Sequence, residues 1–176
     1  PWMAAGRPAR RLVEAPSTND VARALASEGA PHGTWVVADR QTAGRGRLGR
    51  RWEAPEGAAL FLSVLLRPEL PPDQVPLLCL GAASCVASLH PDLRIKWPND
   101  VLLPDGRKVS GILAEAEMDG PARMSVVLGI GVNLTATPPL PTAGHLGELS
   151  GAPTERRLVA EALVEGVLAV CHRLEQ

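Results

Sequence analysis

A run of glycines and arginines at residues 44–52 carries the strongest indication of chemistry in this sequence. It holds three glycines and four arginines and ends at Trp52. Glycine lets a backbone approach a ligand closely, and arginine offers planar, bidentate donors that match phosphate or carboxylate groups. The run therefore predicts a loop that grips an anion. The alternatives are a solvated basic loop and an arm for nucleic acid, since Gly/Arg runs also occur in RNA-binding segments.

The overall charge argues against the nucleic-acid alternative. The chain has 18 Lys+Arg and 19 Asp+Glu, a net charge of −1, with one Phe, no Tyr and four Trp. Nucleic-acid binders usually carry a basic face with interleaved aromatic residues. The positive charge at residues 44–52 is local, which favours a small anionic ligand over a polymer.

A lysine in residues 96–100 is a second candidate. Lys96 lies near the end of an apolar strand pattern, and the Pro-Asn-Asp that follows Trp97 predicts a turn. A lysine that points into a protein interior is costly unless it meets an anion. The alternative is a lysine that reaches solvent from a strand edge.

Two more segments could contact a ligand. Residues 17–20, Ser-Thr-Asn-Asp, predict the N-cap of a helix that ends at Gly29. Their hydroxyl and amide groups could also bind a polar ligand group at that helix end. Residues 129–134 alternate glycine with other residues in a strand pattern, which predicts a bulge or a close approach of another group to the backbone.

Length and composition predict one well-packed domain. The chain has 176 residues, 45% of them hydrophobic, with no apolar run approaching the roughly 18 residues of a membrane span. No signal-peptide pattern precedes the first helix, so we expect a cytoplasmic protein without membrane contact. Cys79, Cys85 and Cys171 have no metal-ligand or catalytic spacing, and we interpret them as small hydrophobic residues.

Hydrophobic periodicity predicts the elements that must position these groups. A meander of antiparallel strands is expected from residue 94 onward, with turns at Asp105-Gly106 and Asp119-Gly120. Residues 135–153 are predicted to be irregular, and a loop of this length is usually functional or disordered. The predicted helices follow Ser17 and cover 71–89 and 155–173, and the predicted strands are 34–38, 58–66, 94–97, 101–103, 109–117 and 124–134.

Taken together, these motifs resemble those of the biotin–protein ligase (biotin–[acetyl-CoA-carboxylase] ligase) family. The matching segments occur in the family's order and approximate spacing, and they span about residues 12 to 173. They are Ser17-Thr18-Asn19, the 44–52 loop, Lys96-Trp97-Pro98-Asn99-Asp100, the strand from Lys108 to Glu115, and Gly129-x-Gly131-x-Asn133.

The resemblance implies an α+β fold with a central mixed, largely antiparallel sheet flanked by helices, the class II synthetase-like biotin/lipoate ligase fold. Residues 1–176 would form the catalytic domain. It implies catalytic roles for Lys96, Arg45 and Arg47, and it assigns no protein ligand to a metal. The residues implied to bind biotin, its adenylate or the nucleotide are Ser17, Thr18, Asn19, Gln41, Gly44, Arg45, Gly46, Arg47, Trp52, Lys96, Gly111, Gly129 and Asn133.

The implied reaction uses ATP, biotin and Mg²⁺. Biotin's carboxylate attacks the α-phosphate of ATP to give biotinyl-5′-AMP, and a lysine of a biotin carboxyl carrier protein then takes the biotinyl group. Cationic side chains and the metal would offset the repulsion between the two anions. No nucleophilic Cys is needed, unlike in the octanoyltransferases of the same fold.

The sequence leaves two other functions open and bears on the partners of the protein. The near alternative is a lipoate-type ligase of the same fold, and the remote one is a non-catalytic module that binds a small anion or nucleic acid. We expect no N-terminal DNA-binding domain and no DNA binding, a C-terminal SH3-like domain that is absent or truncated, and we consider a homodimer. We also expect the free 44–53 loop to be mobile and to close on biotin with ATP, because nothing else offsets its charge repulsion.

Overall fold

A seven-stranded mixed sheet organises the protein, whose computed structural model describes residues 2–118 and 124–176. A two-stranded hairpin of β1 (Met3–Ala4) and β2 (Arg7–Pro8) precedes it. The strands of the large sheet are β3 (Arg10–Ala15), β4 (Trp35–Gln41), β5 (Ala59–Leu66), β6 (Arg94–Lys96), β7 (Asp100–Leu102), β8 (Lys108–Met118) and β9 (Met124–Asn133). Their spatial order is β3-β4-β5-β9-β8-β7-β6.

The pairing within this sheet is antiparallel except at one edge, where β3 and β4 run parallel. Strands β6 to β9 pair in chain order, which confirms the predicted antiparallel meander. The predicted turn at Asp119-Gly120 lies outside the described residues. The predicted fold class, a mixed and largely antiparallel sheet flanked by helices, is confirmed.

Three α-helices cover the sheet in the part of the chain that the structure describes. They are α1 (Thr18–Ser27), α2 (Val75–Ala87) and α3 (Arg156–Leu174). The predicted cap of α1 is confirmed, since the Ser17 side chain accepts a hydrogen bond from the backbone N–H of Asn19. The helix predicted over 71–89 begins instead with a 3₁₀ turn, Pro72–Gln74, before α2.

The two faces of the sheet are covered unequally. Helices α2 and α3 pack on one face over the main hydrophobic core, whereas α1 packs on the other over a small cluster that includes Ala22, Ala26 and Val36. Strand β5 is buried on both faces, as predicted, with Leu62 in the main core and Leu65 in the small cluster. The α1 face is therefore only partly filled by apolar side chains, which leaves room for polar groups.

Some of the structure was not predicted. The hairpin β1–β2 and the edge strand β3 are absent from the sequence-based prediction. Residues 135–153 form no α-helix or β-strand, but they include a 3₁₀ turn, Leu146–Glu148, and bond to the start of β8. The Lys108 N–H donates to the Thr142 carbonyl at 2.8 Å, and the Gly144 N–H donates to the Lys108 carbonyl at 2.9 Å.

The cysteines agree with their interpretation as packing residues. All three are free, with Cys171 buried and Cys79 and Cys85 half-buried. Burial raises the pKa of the Cys79 and Cys85 thiols and raises the pKa of Cys171 to about 12. A thiol held protonated is a poor nucleophile. Among the helices that the structure describes, none combines the length and apolar character needed to cross a bilayer.

Candidate active site

Two adjoining cavities lie beside the N-terminus of α1. The inner cavity has a volume of about 50 Å³ and the outer cavity about 400 Å³. The outer volume falls within the roughly 300–1,000 Å³ typical of small-molecule sites. Because Gly46, Arg47, Trp52, Asn99 and Lys108 line both cavities, the two form one continuous cleft.

Polar side chains form one end of the inner cavity. Ser17, Thr18 and Asn19 lie there and are each less than 5% exposed. Gln41, at the end of β4, accepts a hydrogen bond from the backbone N–H of Thr18 at 2.7 Å. The N-cap of α1 thus gives three consecutive polar side chains that face a cavity, as the sequence suggested.

Buried Ser63 lies behind these groups on β5, and no sequence pattern indicated it. Its hydroxyl oxygen is 2.7 Å from Thr18 Oγ1 and 2.6 Å from Asn19 Oδ1. Ser63 pairs with Gly129 in the β5–β9 register, and a side chain at Gly129 would collide with Asn19. The glycine on β9 therefore makes room for Asn19.

Trp52 and aliphatic residues form the walls of the inner cavity. The Trp52 indole lies over Gly111 and Gly131, where a Cβ atom would contact the ring. Its Nε1 atom is buried without a hydrogen-bond partner in the part of the chain that the structure describes. The apolar lining residues are Phe61, Leu62, Ile112, Leu113 and Ile130. The far end of the 44–52 loop is thus anchored on the sheet.

Arg45 is anchored by carboxylates. Its two terminal nitrogens bond to the Asp20 carboxylate at 2.9 and 2.7 Å, and Nη2 lies 3.4 Å from Glu115 Oε2. The hydrogen bond from Arg45 lowers the pKa of Asp20, and the hydrogen bond to Asp20 raises the pKa of Arg45. The bidentate contact fixes the base of the loop, so in this arrangement the Arg45 guanidinium is already occupied.

Arg47 has a neutral partner instead. Its Nη1 donates to Asn99 Oδ1 at 3.2 Å, and no carboxylate pairs with it among the described residues. Asn99 is fixed to β8, because its side chain donates to the Ile112 carbonyl at 2.9 Å and its own carbonyl accepts from the Ile112 N–H at 2.9 Å. Arg47 thus brings an uncompensated positive charge to the junction of the two cavities.

Lys108 is the second cation at this junction, and the sequence analysis named it only as the first residue of a motif strand. Its Nζ lies 2.7 Å from Asp100 Oδ1 and 5.3 Å from the centroid of a Trp52 ring. The available signal was a charged residue at the start of a buried strand, directly after the Pro104-Asp105-Gly106 turn. That signal is common in proteins and does not by itself identify a site.

The orientation predicted for Lys96 is wrong. Strand β6 is an edge strand, and all three of its residues are exposed. Lys96 lines neither cavity. Its edge position lets the side chain reach solvent, which is the alternative that the sequence had left open.

Asn133 and the segment after it shape the outer cavity. Asn133 Nδ2 donates to the Gly144 carbonyl at 3.0 Å, while Oδ1 is buried without a partner among the residues described. Pro138, Leu140, Thr142 and Ala143 also line this cavity. Part of the long irregular segment therefore belongs to the cleft.

Most of the predicted binding residues converge on the cleft. The structure places ten of them on the inner cavity: Ser17, Thr18, Asn19, Gln41, Arg45, Gly46, Arg47, Trp52, Gly111 and Gly129. Asn133 lines the outer cavity. Gly44 lines neither, but a side chain there would collide with the Trp52 carbonyl, so glycine is needed for the two ends of the loop to meet.

Sequence comparison relates the chain to known ligases. The profile described as the Biotin/lipoate A/B protein ligase family matches residues 12–133. A bifunctional ligase/repressor BirA of Bacillus subtilis is 44% identical over 129 residues, which are 69% of this chain and 39% of that protein. Biotin–[acetyl-CoA-carboxylase] ligases of Paracoccus denitrificans and Mycobacterium tuberculosis are 40% and 38% identical, over 77% and 87% of this chain. The chain spans 39%, 63% and 60% of the lengths of these three relatives.

Comparison with solved structures also relates the chain to biotin protein ligases. The biotin protein ligase of Aquifex aeolicus in complex with biotin and ATP has a TM-score of 0.76 and 31% identity, covering 96% of this chain and 72% of that chain. The Leishmania major biotin protein ligase in complex with biotinyl-5-AMP has a TM-score of 0.78 and 26% identity, with 96% and 76% covered. The arrangement of sheet and helices is thus shared with ligand-bound enzymes.

Proposed function

The chain belongs to the Biotin/lipoate A/B protein ligase family, and we propose that it activates biotin with ATP and transfers it to a lysine of a biotin carboxyl carrier protein. The observation that carries this proposal is the two-part cleft with Arg47 and Lys108 at its junction. Such a cleft can hold two anionic substrates end to end, with cations where they meet. The names of the relatives and the ligands of the solved homologues support the same activity.

The reaction proceeds in two steps, formation of the adenylate and transfer of the biotinyl group. A carboxylate oxygen of biotin attacks the α-phosphorus of ATP, and the bond to pyrophosphate breaks to leave biotinyl-5′-AMP. The amine of the acceptor lysine then attacks the biotinyl carbonyl, AMP leaves, and the nitrogen loses a proton as the amide forms. Neither step needs a covalent bond to the enzyme.

The side chains at the junction serve the first step. Biotin would enter the inner cavity, which must widen beyond its volume of about 50 Å³ to hold the ligand. The biotin carboxylate would then face Arg47 and Lys108, and the nucleotide would occupy the outer cavity. Arg47, together with Lys108, whose partner Asp100 would turn to the metal ion, would offset the repulsion between carboxylate and phosphate and stabilise the charge that develops on phosphorus-bound oxygens. Trp52 would shield the anhydride from water.

The outer cavity also suits Mg²⁺. Asp100 and Asn133 line it, and the Asn133 Oδ1 atom is buried without a partner among the described residues. Magnesium prefers oxygen ligands and is usually bound by one or two carboxylates together with substrate phosphates. Asp100 and Asn133 would hold the ion, which would supply charge neutralisation on the phosphates.

The polar end of the inner cavity favours biotin over lipoate. Thr18, Asn19 and Gln41 place hydrogen-bonding groups in a buried space. The ureido ring of biotin offers two N–H donors and a carbonyl acceptor, whereas the dithiolane ring of lipoate offers no N–H or carbonyl group. Because buried polar groups without partners cost free energy, a lipoate head would bind poorly there.

Partners beyond the acceptor remain predictions. We consider a homodimer, and the Bacillus subtilis relative is named both ligase and repressor. Cytoplasmic location is likewise an expectation.

Exchange of labelled pyrophosphate into ATP tests the proposal. With Mg²⁺ present, we expect exchange that depends on biotin, with lipoate supporting little or none. Exchange with lipoate alone would reassign the protein to the lipoate-type ligases. A lack of exchange with either acid would contradict ligase activity.

Two lysine variants test the role of the cleft junction. Lys108→Ala removes a cation from both cavities, and we expect roughly a hundredfold loss of biotin-dependent exchange, as for removal of a preorganised donor. Lys96→Ala is the matched control, and we expect less than about a threefold change because the side chain is exposed on β6. A larger loss for Lys96→Ala than for Lys108→Ala would instead support the assignment made from the sequence.

A further inference from the structure

A chain of side-chain hydrogen bonds runs from half-buried Glu115 to the buried polar end of the inner cavity. Asn19 Nδ2 donates to Glu115 Oε2 at 2.7 Å. Ser63 Oγ then lies 2.6 Å from Asn19 Oδ1 and 2.7 Å from Thr18 Oγ1. Thr18 and Asn19 line the cavity, but Glu115 and Ser63 do not. The chain therefore links a charged residue behind the cavity to two groups that face a ligand.

Glu115 fixes the direction of the hydrogen bonds that join it to Asn19 and Asn19 to Ser63. Glu115 forms ion pairs with Arg23 at 2.9 Å and Arg45 at 3.4 Å, contacts that a carboxylate makes. A carboxylate can only accept hydrogen bonds, so the Asn19 atom that faces it must be the amide nitrogen. The Asn19 oxygen then faces Ser63 and can only accept, and the single Ser63 proton goes to Asn19.

The hydrogen bond between the Ser63 and Thr18 hydroxyls then has one possible direction. Since the Ser63 proton is used, the 2.7 Å contact between the two hydroxyl oxygens requires Thr18 to donate to Ser63. Gln41 Oε1, which accepts from the Thr18 backbone N–H at 2.7 Å, has a second lone pair and lies 3.1 Å from Thr18 Oγ1, so it is the longer alternative acceptor within the protein for the Thr18 proton. Thr18 Oγ1 has no proton left for a ligand and can only accept a hydrogen bond.

We propose that Glu115 is a positioning residue that sets the specificity of the inner cavity by making Thr18 an obligatory acceptor. The cavity then selects a ligand that presents an N–H to Thr18 and rejects an isostere with oxygen at that place, because two lone pairs would face each other away from water. This inference rests on the proposed function, in which the N–H belongs to the ureido ring of biotin.

Glu115 could instead be thought to act only through Arg45 and the loop. The distances argue against this, because Asp20 holds Arg45 at 2.7 and 2.9 Å while the Glu115 oxygens lie 3.4 and 3.5 Å away. Asp20→Asn would thus weaken the main anchor of the loop without touching the chain from Glu115 to Thr18. Loop anchoring and hydrogen-bond direction can be tested separately.

The decisive variant is Glu115→Gln. Glutamine keeps the shape of glutamate, but its amide can donate as well as accept, so Asn19 can turn over and Ser63 can donate to Thr18 instead. The Thr18 proton is then no longer required by Ser63, and a ligand oxygen can compete for it with Gln41. Glu117→Gln is the matched control, since Glu117 lies on the same strand and pairs with Arg23 at 2.8 Å but is not part of the chain. Ser63→Ala is a second test, because it removes the acceptor of the Thr18 proton.

The measurement is the calorimetric Kd of biotin and of both cyclic carbamate analogues in which one ring N–H is replaced by oxygen. We expect the wild-type protein to bind the worse-bound carbamate roughly a hundredfold more weakly than biotin. In Glu115→Gln and Ser63→Ala we expect this ratio to fall about tenfold. In Glu117→Gln and Asp20→Asn we expect the wild-type ratio.

The outcomes separate the two proposals. If the wild-type protein binds biotin but does not discriminate, or if both Glu115→Gln and Ser63→Ala keep the wild-type ratio, the specificity role of Glu115 is overturned while the proposed function stands. A loss of discrimination in Asp20→Asn would show that the loop sets the affinity ratio, and this result would also overturn the specificity role of Glu115. If Glu115→Gln does not fold, as judged by circular dichroism, Ser63→Ala decides alone. Failure of the wild-type protein to bind biotin at all would overturn the proposed function itself.

Discussion

At the scale of single residues, His32 makes the stability of the fold depend on pH. Its Nδ1 accepts a hydrogen bond from the Arg67 N–H at 3.1 Å. Burial lowers the pKa of His32, with Arg7 also lowering it and Glu175 opposing. Because the folded-state pKa lies below the unfolded value of 6.5, the unfolded chain binds more protons between the two values, and stability falls as the pH drops through this window.

We therefore expect the free energy of unfolding to decrease between pH 7.5 and 5.5, with a His32 contribution of roughly 1 kcal/mol, the usual net value of one hydrogen bond. In His32→Asn, where the amide oxygen can replace Nδ1 as acceptor, the slope should be smaller. His172→Asn, at an exposed position near the end of α3, is the control and should keep the wild-type slope. Urea unfolding at several pH values measures this. Equal slopes in all three proteins would contradict the role of His32.

The residues of the cleft show how far single residue types can be interpreted from sequence. Ser17, Thr18 and Arg47 were identified because polar groups at a helix N-terminus and arginines beside glycines can both bind polar or anionic ligand groups. Lys108 was passed over in favour of Lys96, since both lysines stand at the ends of strands and only the position of β6 at the sheet edge exposes Lys96. Ser63 gave no signal, because one hydroxyl in an apolar strand is more often a packing residue.

At the scale of elements, the tip of the 44–52 loop combines charge with backbone strain. Leu48 has a φ of 57° and is 88% exposed, a conformation that is unfavourable for a leucine. Arg45 and Trp52 fix the two ends of the loop, while the turn Arg47–Gly49 between them is unburied. A strained, charged tip between two anchors should move unless an anion binds to it.

Limited trypsin digestion tests this motion. Without ligands we expect cleavage after Arg47, Arg50 or Arg51, and with biotin, ATP and Mg²⁺ we expect it to slow at least about fivefold, as for a lid that closes. Cleavage in the exposed edge strand β3, after Arg10 or Arg11, serves as the internal reference. Equal loop cleavage with and without ligands would mean that the loop does not close.

The elements themselves were predicted well where their signals are local. The helix α1 has its cap, and β5 has a continuous apolar run. Strand β3 has no such local signal, since Ala15 alone among its residues is buried. Its parallel pairing with β4 joins residues that are distant in sequence. Edge strands of this kind are held by their partner more than by their own pattern.

At the scale of the whole molecule, the contact between α2 and α3 supports the main core away from the cleft. A Cβ atom at Gly81 of α2 would collide with the Val170 side chain of α3. We expect Gly81→Ala to destabilise the protein by roughly 1–3 kcal/mol through overpacking, which lowers Tm by about 2–4 °C per kcal/mol in a domain of this size. The Kd of biotin should stay within about twofold.

Ser84→Ala is the matched control, because Ser84 is exposed on the same helix and the change should leave Tm within about 2 °C. Differential scanning calorimetry and biotin titration give both quantities. A Gly81→Ala protein with unchanged Tm would contradict the packing argument, and one with normal Tm but weak biotin binding would connect α2 to the cleft.

The assembly of the cleft could not be predicted from local patterns. Ser63 faces Gly129 and Gly111 faces Gly131 through strand registers that join segments tens of residues apart. These registers decide which side chains share the α1 face. The family resemblance supplied the list of residues, but only the sheet shows that Asn19 meets Glu115 and that Trp52 covers two glycines.

The unequal cover of the two sheet faces has a consequence for how this protein can evolve. The α2–α3 face holds the large hydrophobic core, whereas the cleft side carries polar groups, a loop and a small apolar cluster. Substitutions in the exposed turn Arg47–Gly49 therefore draw little on the stability of the fold, and a lineage can accumulate them without first acquiring compensating changes in the core. A new acid substrate can be adopted on one side of the sheet while the other side keeps the chain folded.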